Sequence, residues 1–327
     1  MGPLGAYQEV MRDPGFLPDP AQEEAITRLE ALYQTLAAWQ APVSSLLDRL
    51  RGRQTAIEPV RGLYLWGGVG RGKTFLMDLF YDALPGQNKL RLHFHRFMQL
   101  VHEELTLLKN QPNPLIEVGR RFAERARVLC LDEMQVNDIT DAMILAGLFG
   151  NLFNRGVTLV TTSNIEPDQL YRNGLQRDRF LPAIDLIRRY TEVVELDSPT
   201  DYRLRRLERA EVYHCPLDAE AHACLERGYK AAVGVAHPKP NFILINHREI
   251  PVVRWTDGVA WFDFDVICNI PRSQLDHVEL SRFFHTILLE NVCAMDDEQA
   301  DKAQRLITLV DAFYDRNVKL LISAEVV

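Results

Sequence analysis

The feature that most constrains this chain is a short apolar run, Leu63–Trp66, that leads directly into Gly67-Gly68-Val69-Gly70-Arg71-Gly72-Lys73-Thr74. A helix-like run, Phe75 to Tyr81, follows at once. The glycines allow a tight backbone turn that aims successive N–H groups at phosphate oxygens, and the new helix turns its positive end toward the same point. In G-x-x-x-x-G-K-T the lysine reaches the β and γ phosphates and the hydroxyl residue holds Mg²⁺. Those positions are Lys73 and Thr74, with the loop from Gly67 through Phe75 around the phosphates. A dinucleotide-binding G-x-G-x-x-G is excluded, because its third glycine would fall at Lys73.

The segments around this loop set the fold class. Between 62 and 197 strand-like runs (Leu63–Trp66, Leu90–Phe94, Val128–Leu131, Thr158–Thr162, Val193–Leu196) alternate with helical patterns such as Ile139, Met143, Ala146, Phe149, Leu152 and Phe153. Alternation of this kind predicts an α/β fold with a parallel sheet between helices, and ligands at the carboxyl ends of the strands. Upstream, Asp19-Pro20-Ala21-Gln22 reads as a helix start, with Asp as N-cap and Gln at the capping-box position. Beyond Asp197 the pattern changes. Residues 200–230 read as charged and helical. Phe242–Ile245, Pro251–Trp255 and Val259–Cys268 read as antiparallel strands, the last two joined by a turn at Thr256-Asp257-Gly258. Helices are expected at 279–290 and 299–315 and a strand at 318–324. The organisation expected is therefore an N-terminal helical segment (1–61), an ATPase core (62–200) and a smaller C-terminal α+β domain (201–327).

Bulk properties narrow the class. The 327 residues carry a net charge of −8, an acidic balance that argues against a dedicated nucleic-acid binder. Five scattered cysteines without C-x-x-C spacing suit reduced thiols. No secretory leader or 18-residue apolar run is present, so a cytoplasmic protein is expected. Nine histidines form no H-E-x-x-H motif, and His93 and His95 read as structural rather than as metal ligands.

Three further elements follow the loop. The strand Arg127–Leu131 runs into Asp132-Glu133. Two carboxylates there suit a metal-holding Asp132 and a Glu133 that polarises the attacking water as general base. The strand Val157–Ser163 ends at Asn164, a position from which an amide can orient that water. Arg177 and Arg179 flank Asp178, and either suits an arginine finger supplied by a neighbouring subunit. Arg203, near the domain boundary, suits a second nucleotide-sensing arginine. A GTPase is excluded, since Asn88-Lys89 is followed by Leu90-Arg91 rather than completing N-K-x-D. In this order the elements describe an AAA+ ATPase that uses ATP and Mg²⁺.

More specific strings carry a resemblance. RGLYLWGGVGRGKTFLMDLFY (61–81), RLHFHRFM (91–98), CLDEMQVNDITDAM (130–143) and TTSNIEPDQLYRNGLQRDRFLPAI (161–184) resemble the ZapE cell-division ATPase family, whose mitochondrial relatives are AFG-type ATPases. The likeness continues through DYRLR (201–205), LINHREI (244–250), LSRFFHT (280–286), LITLVDAFYD (306–315) and KLLISAE (319–325). Departures are Gln304 where an arginine pair is usual, and His277-Val278 after Asp276. The family usually runs on past Val327, which leaves open a truncated C-terminal domain. The resemblance implies the residue roles given above, a place for Gln22 near adenine, assembly into a homo-oligomer, and a protein partner, the tubulin-like division protein FtsZ. It also implies an alternative in AFG-type protein quality control. A nucleic-acid-acting loader or helicase is a further alternative, motivated by Arg203, Arg205, Arg206 and Arg209.

Overall fold

A computed structural model describes residues 1–12, 19–39, 58–68, 70–109, 111–197, 213–233, 240–245, 248–256, 258–269, 274–296, 299–314, 316 and 318–326. The chain divides into two compact units, Met1–Asp201 and Tyr202–Val327. In the first, β1 (Gly62–Trp66), β2 (Lys89–His93), β3 (Val128–Asp132), β4 (Thr158–Ser163) and β5 (Thr191–Glu195) form one sheet in the order β2-β3-β4-β1-β5. Every pairing is parallel. Strand β4 is thus inserted between the strand that precedes the glycine-rich loop and the strand that ends in Asp132.

Side chains on successive strand residues point to opposite faces, and the two faces carry separate cores. Leu63, Leu65, Val128, Cys130, Val160 and Val194 pack with helices α1 (Pro3–Val10), α2 (Pro20–Ala38) and α3 (Lys73–Ala83). Tyr64, Leu129, Leu131 and Leu159 pack with α4 (Phe94–Leu107), α5 (Pro114–Arg125), α6 (Ile139–Phe153) and α7 (Leu181–Tyr190). All residues of β3 and β4 are buried, as expected for central strands covered on both sides. The predicted start of α2 is present. Asp19 accepts from the N–H groups of Ala21 (2.8 Å) and Gln22 (3.4 Å), a cap worth about 1 kcal/mol. Helix α1, too short to announce itself by periodicity, is held to α2 by Leu4 N–H donating to Glu30 (3.0 Å) and by buried Tyr7.

The second unit is built on a mixed sheet of β6 (Tyr213–His214), β9 (Arg254–Thr256), β10 (Gly258–Asp263), β11 (Phe284–Val292) and β12 (Lys319–Ala324). A separate hairpin pairs β7 (Phe242–Ile245) with β8 (Arg248–Pro251). Val259 and Trp261 face α8 (Ala221–Ala232) in one core. Ala260 and Phe262 lie in another, with residues of α9 (Gln274–Phe283) and α10 (Ala300–Tyr314). The expected antiparallel pairing holds for β9/β10, whereas β7 pairs with residues 248–251 rather than with an expected strand, the strand expected over Val259–Cys268 gives way to a helical turn at Asp265–Asn269, and β10, β11, β12 and β6 run parallel. The helix expected at 279–290 ends at Phe283, and residues 284–292 are strand β11. Leu280, Phe284, Ile287 and Leu288 fall at helical spacing, yet Ile287, Leu288 and Leu289 are buried on both faces of a central strand. A fully buried strand loses the alternation that distinguishes it from a buried helix.

Gly62 shows how closely β1 and β4 approach. A Cβ there would lie 1.7 Å from the Leu159 carbonyl oxygen, part of the partner backbone that cannot move aside. Gly62→Ala is expected to destabilise the protein by about 3 kcal/mol in urea denaturation. Gly150→Ala is the contrast, in α6, where the nearest atom to a new Cβ is Leu186 Cδ1 at 3.9 Å. It is expected to be neutral or to stabilise by about 0.5 kcal/mol.

Candidate nucleotide site

The loop that leaves β1 needs backbone angles that favour glycine. Gly70 and Gly72 have φ of +79° and +85°, and Gly72 is the residue from which α3 starts. Val69 lies outside the described residues. Lys73, the first residue of α3, is buried to 8% exposure. Its ammonium donates to the carbonyls of Gly67 and Gly68 (both 2.8 Å) and to Asn164 Oδ1 (2.9 Å), just past the end of β4. The loop, the start of α3 and the end of β4 therefore meet at one cation.

Thr74 donates from Oγ1 to Asp132 Oδ1 (3.1 Å) at the end of β3. Asp132 has no exposed surface. A buried carboxylate is costly unless its oxygens are engaged, and both are. Thr162 donates a short hydrogen bond to Oδ1, and Arg91 Nη2 donates to Oδ2 (3.3 Å). The Thr162 hydroxyl also accepts from Glu133 N–H (2.9 Å), and Met134 N–H donates to the Thr162 carbonyl (2.7 Å). Glu133 is held with φ of +56°, left-handed backbone that costs a non-glycine residue about 1–2 kcal/mol. Its side chain is 40% exposed, with Oε2 3.9 Å from His93 Nδ1. Strain of this kind, fixed by Thr162, puts the carboxylate of Glu133 at the mouth of the site beside the buried Asp132. Deeper in the sheet, burial pushes the Cys130 thiol up to about 12 and raises the Tyr64 phenol, whose OH donates to the Ile165 carbonyl (2.7 Å). Neither group ionises near neutral pH.

The remaining predicted residues divide. Gln22, expected near a base, lies behind the loop. Its Nε2 donates to the Arg71 carbonyl (3.0 Å) and its Oε1 accepts from Tyr7 OH (3.5 Å), so it does not close a capping box on α2. A Cβ on Gly72 would come within 2.5 Å of that amide nitrogen, which fixes glycine there twice over. Phe75 packs near Tyr7, ring centroids 6.3 Å apart. Arg71 folds back over Gly68, and its Nη1 is buried with no hydrogen-bond partner among the described residues. Arg177 and Arg179 form a short 3₁₀ turn before α7. Arg177 Nη2 donates to the Asp168 carbonyl (2.6 Å), whereas the exposed Arg179 makes no side-chain hydrogen bond or ion pair among the described residues. Arg203 lies outside the described residues. Among the described residues no three His, Cys, Asp or Glu side chains gather as a metal site. The Thr74 hydroxyl and Asp132 carboxylate do present the hard oxygen donors that suit Mg²⁺ arriving with phosphates.

Sequence reading missed Thr162 and Arg91. The run Thr161-Thr162-Ser163 was a signal, because three hydroxyls in a fully buried strand must each find a partner. Arg91 sits in a strand of alternating character, where a basic residue ordinarily faces solvent, and only the tertiary structure reveals its burial.

A glycine-rich loop between a strand and a helix, a Thr at the start of that helix bonded to the Asp that ends β3, and an asparagine just past the end of β4, the strand between, define an AAA+ type P-loop ATPase. The chain belongs to the AFG1-like ATPase family, whose pattern matches residues 1–327. It is 47% identical to the cell division protein ZapE of Escherichia coli K12 over 99% of this chain and 88% of ZapE. An uncharacterized Schizosaccharomyces pombe protein is 33% identical over 99% of this chain and 79% of its own length. Lactation elevated protein 1 homolog B of Danio rerio is 31% identical over 94% and 71%. No described helix is long and apolar enough to cross a membrane.

The Gln22–Arg71 contact yields a prediction. Gln22→Ala is expected to weaken binding of a fluorescent ATP analogue by about five- to tenfold, the worth of one buried hydrogen bond, while urea stability falls by about 1 kcal/mol. Unchanged affinity would mean that the loop holds its shape without α2.

Proposed function

We propose that this protein is a Mg²⁺-dependent ATPase that hydrolyses ATP to ADP and phosphate and couples the reaction to remodelling a protein partner in cell division. The observation that carries the reading is the convergence of Lys73, Thr74, Asp132, Glu133 and Asn164 at the carboxyl edge of one sheet. The backbone N–H groups of the loop, residues 67–74, cradle the phosphates, and Lys73 exchanges its loop carbonyls for β- and γ-phosphate oxygens. Thr74 and Asp132 hold the Mg²⁺ shell. That ion, when bound, neutralises charge developing on the phosphates. Glu133, partly exposed beside the buried Asp132, takes the proton of the attacking water. Asn164 couples the γ-phosphate position to Lys73.

The freedom of Arg179 and the tether on Arg177 support Arg179 as the finger that reaches a neighbouring subunit in a homo-oligomer. Arg203 retains its proposed sensing role. FtsZ is the proposed partner, through the family resemblance and the cell-division role named for the Escherichia coli relative.

Glu133→Gln is expected to lower kcat by about 10²-fold or more while ATP binds with nearly unchanged affinity. Normal turnover would remove Glu133 from the base role. In ATP, the same variant is expected to retain FtsZ in a pull-down that the wild type releases, and equal retention by both would count against FtsZ as the partner. Where assembly is demonstrated, mixing Arg179→Ala with Lys73→Ala subunits is expected to restore part of the activity that each lacks alone. Rescue by Arg177→Ala mixtures and not by Arg179→Ala mixtures would reverse the assignment.

A further inference from the structure

The geometry points to Arg91 as a positioning residue that sets how Asp132 meets a divalent cation, an inference that rests on the metal role proposed for Asp132. Arg91 is the middle residue of β2 and its side chain is only 9% exposed. Its Nη2 donates to Asp132 Oδ2 (3.3 Å), and its Nε lies 2.7 Å from Asp78 Oδ1. Asp78 stands four residues after Thr74 on α3, one turn along the same face. Thr74 in turn donates to Asp132 Oδ1. The contacts close a ring from α3 through Thr74, Asp132, Arg91 and Asp78 back to α3.

Two consequences follow. The first is geometric. Oδ1 of Asp132 takes two hydroxyl donors and Oδ2 takes the guanidinium, so the carboxylate cannot rotate. The planar fork of Arg91 spans two carboxylates, which the point charge of a lysine does not reproduce. The second is electrostatic. A cation beside Thr74 competes with Arg91 for the negative charge of Asp132. Arg91 therefore disfavours a bare cation and leaves the ion to arrive with phosphates, whose charge supplies the remaining attraction. The ring becomes a device that links cation binding to nucleotide binding.

The test is Mn²⁺ binding followed by electron paramagnetic resonance, with and without ADP, on full-length protein, alongside circular-dichroism melts. Asp132→Asn is the control for the site. Arg91→Met is expected to bind Mn²⁺ without nucleotide at least about fivefold more tightly than wild type, because a charge within a few ångströms is gone. The enhancement of Mn²⁺ affinity by ADP should shrink correspondingly. Asp78→Asn, which removes one of the carboxylates that share Arg91 with Asp132, should shift Mn²⁺ affinity the opposite way. Arg91→Lys should keep near wild-type Mn²⁺ affinity but lower kcat with little change in KM for ATP. If Arg91→Met does not fold, the other two variants carry the test. Folded Arg91 variants with unchanged Mn²⁺ affinity, unchanged ADP enhancement and normal kcat would overturn the inference. A wild type whose ADP-linked Mn²⁺ signal survives Asp132→Asn would instead remove Asp132 from the metal shell, and the inference with it.

Discussion

A carboxylate without exposed surface, that of Asp132, ends β3, an interior strand of the sheet. An isolated charge there costs several kcal/mol unless every lone pair is served. The structure serves them from three directions: Thr74 on α3, Thr162 on β4 and Arg91 on β2. These are the elements that must be in register for any chemistry at this edge. Asp132 therefore acts as a check on the fold. A one-residue slip of β4 against β3 would turn Thr162 to the other face and remove one of the three donors to the carboxylate. The same hydroxyl accepts from Glu133 N–H, so the strained backbone that turns Glu133 toward the mouth of the site is fixed by the bond that neutralises its neighbour.

A second constraint acts from behind the loop. Gln22 and Tyr7 belong to helices that precede the sheet in sequence, yet the Gln22 amide donates to the Arg71 carbonyl and the Tyr7 hydroxyl donates to that same Gln22 side chain. Turning that carbonyl toward α2 leaves the following N–H groups free to point the other way, into the cradle. Lys73 then has the loop carbonyls of Gly67 and Gly68 and the amide of Asn164 as its partners. All three are neutral oxygens, so in the proposed role the ammonium would give them up for the more strongly attracting anionic oxygens of a phosphate. The N-terminal helices are thus part of the site's mechanical support.

Much of the core was legible because its signals are local. The loop, the five strands between 62 and 196 and the Asp19 cap each depend on a few adjacent residues whose backbone demands are nearly unique. The misreadings have a common physical origin. Residues 284–292 are buried on both faces, and burial on both faces erases the period that tells strand from helix. Gln22 occupies a capping-box position but spends its amide on a residue 49 positions away. Arg91 and Thr162 matter through contacts across the sheet, and a sequence without its fold carries no distance between β2, β3 and β4. At the candidate site, Lys73, Thr74, Asp132, Glu133 and Asn164 were readable by type as candidates, while the residues that orient them were not.

The contrast between Arg177 and Arg179 shows how such orientation works beyond the sheet. An exposed, unpaired arginine is ordinary on a protein surface and says little alone. What distinguishes Arg179 is its base. Phe180, next in sequence, is fully buried and meets Tyr171 edge to face at 5.7 Å. The Tyr171 hydroxyl donates back to the Leu175 carbonyl (3.1 Å), Arg177 is tied to the Asp168 carbonyl, and Arg188 pairs with the Asp168 carboxylate (3.1 Å). The turn that carries Arg179 is clamped on both sides, while its guanidinium has no hydrogen bond or ion pair among the described residues. A side chain that acts on a reaction outside its own chain needs this combination, since a rigid base reduces the orientational entropy lost on engagement and a free head permits it. Arg177 supplies part of the clamp, and the same bond to the Asp168 carbonyl would hold its guanidinium back from the finger role proposed for Arg179.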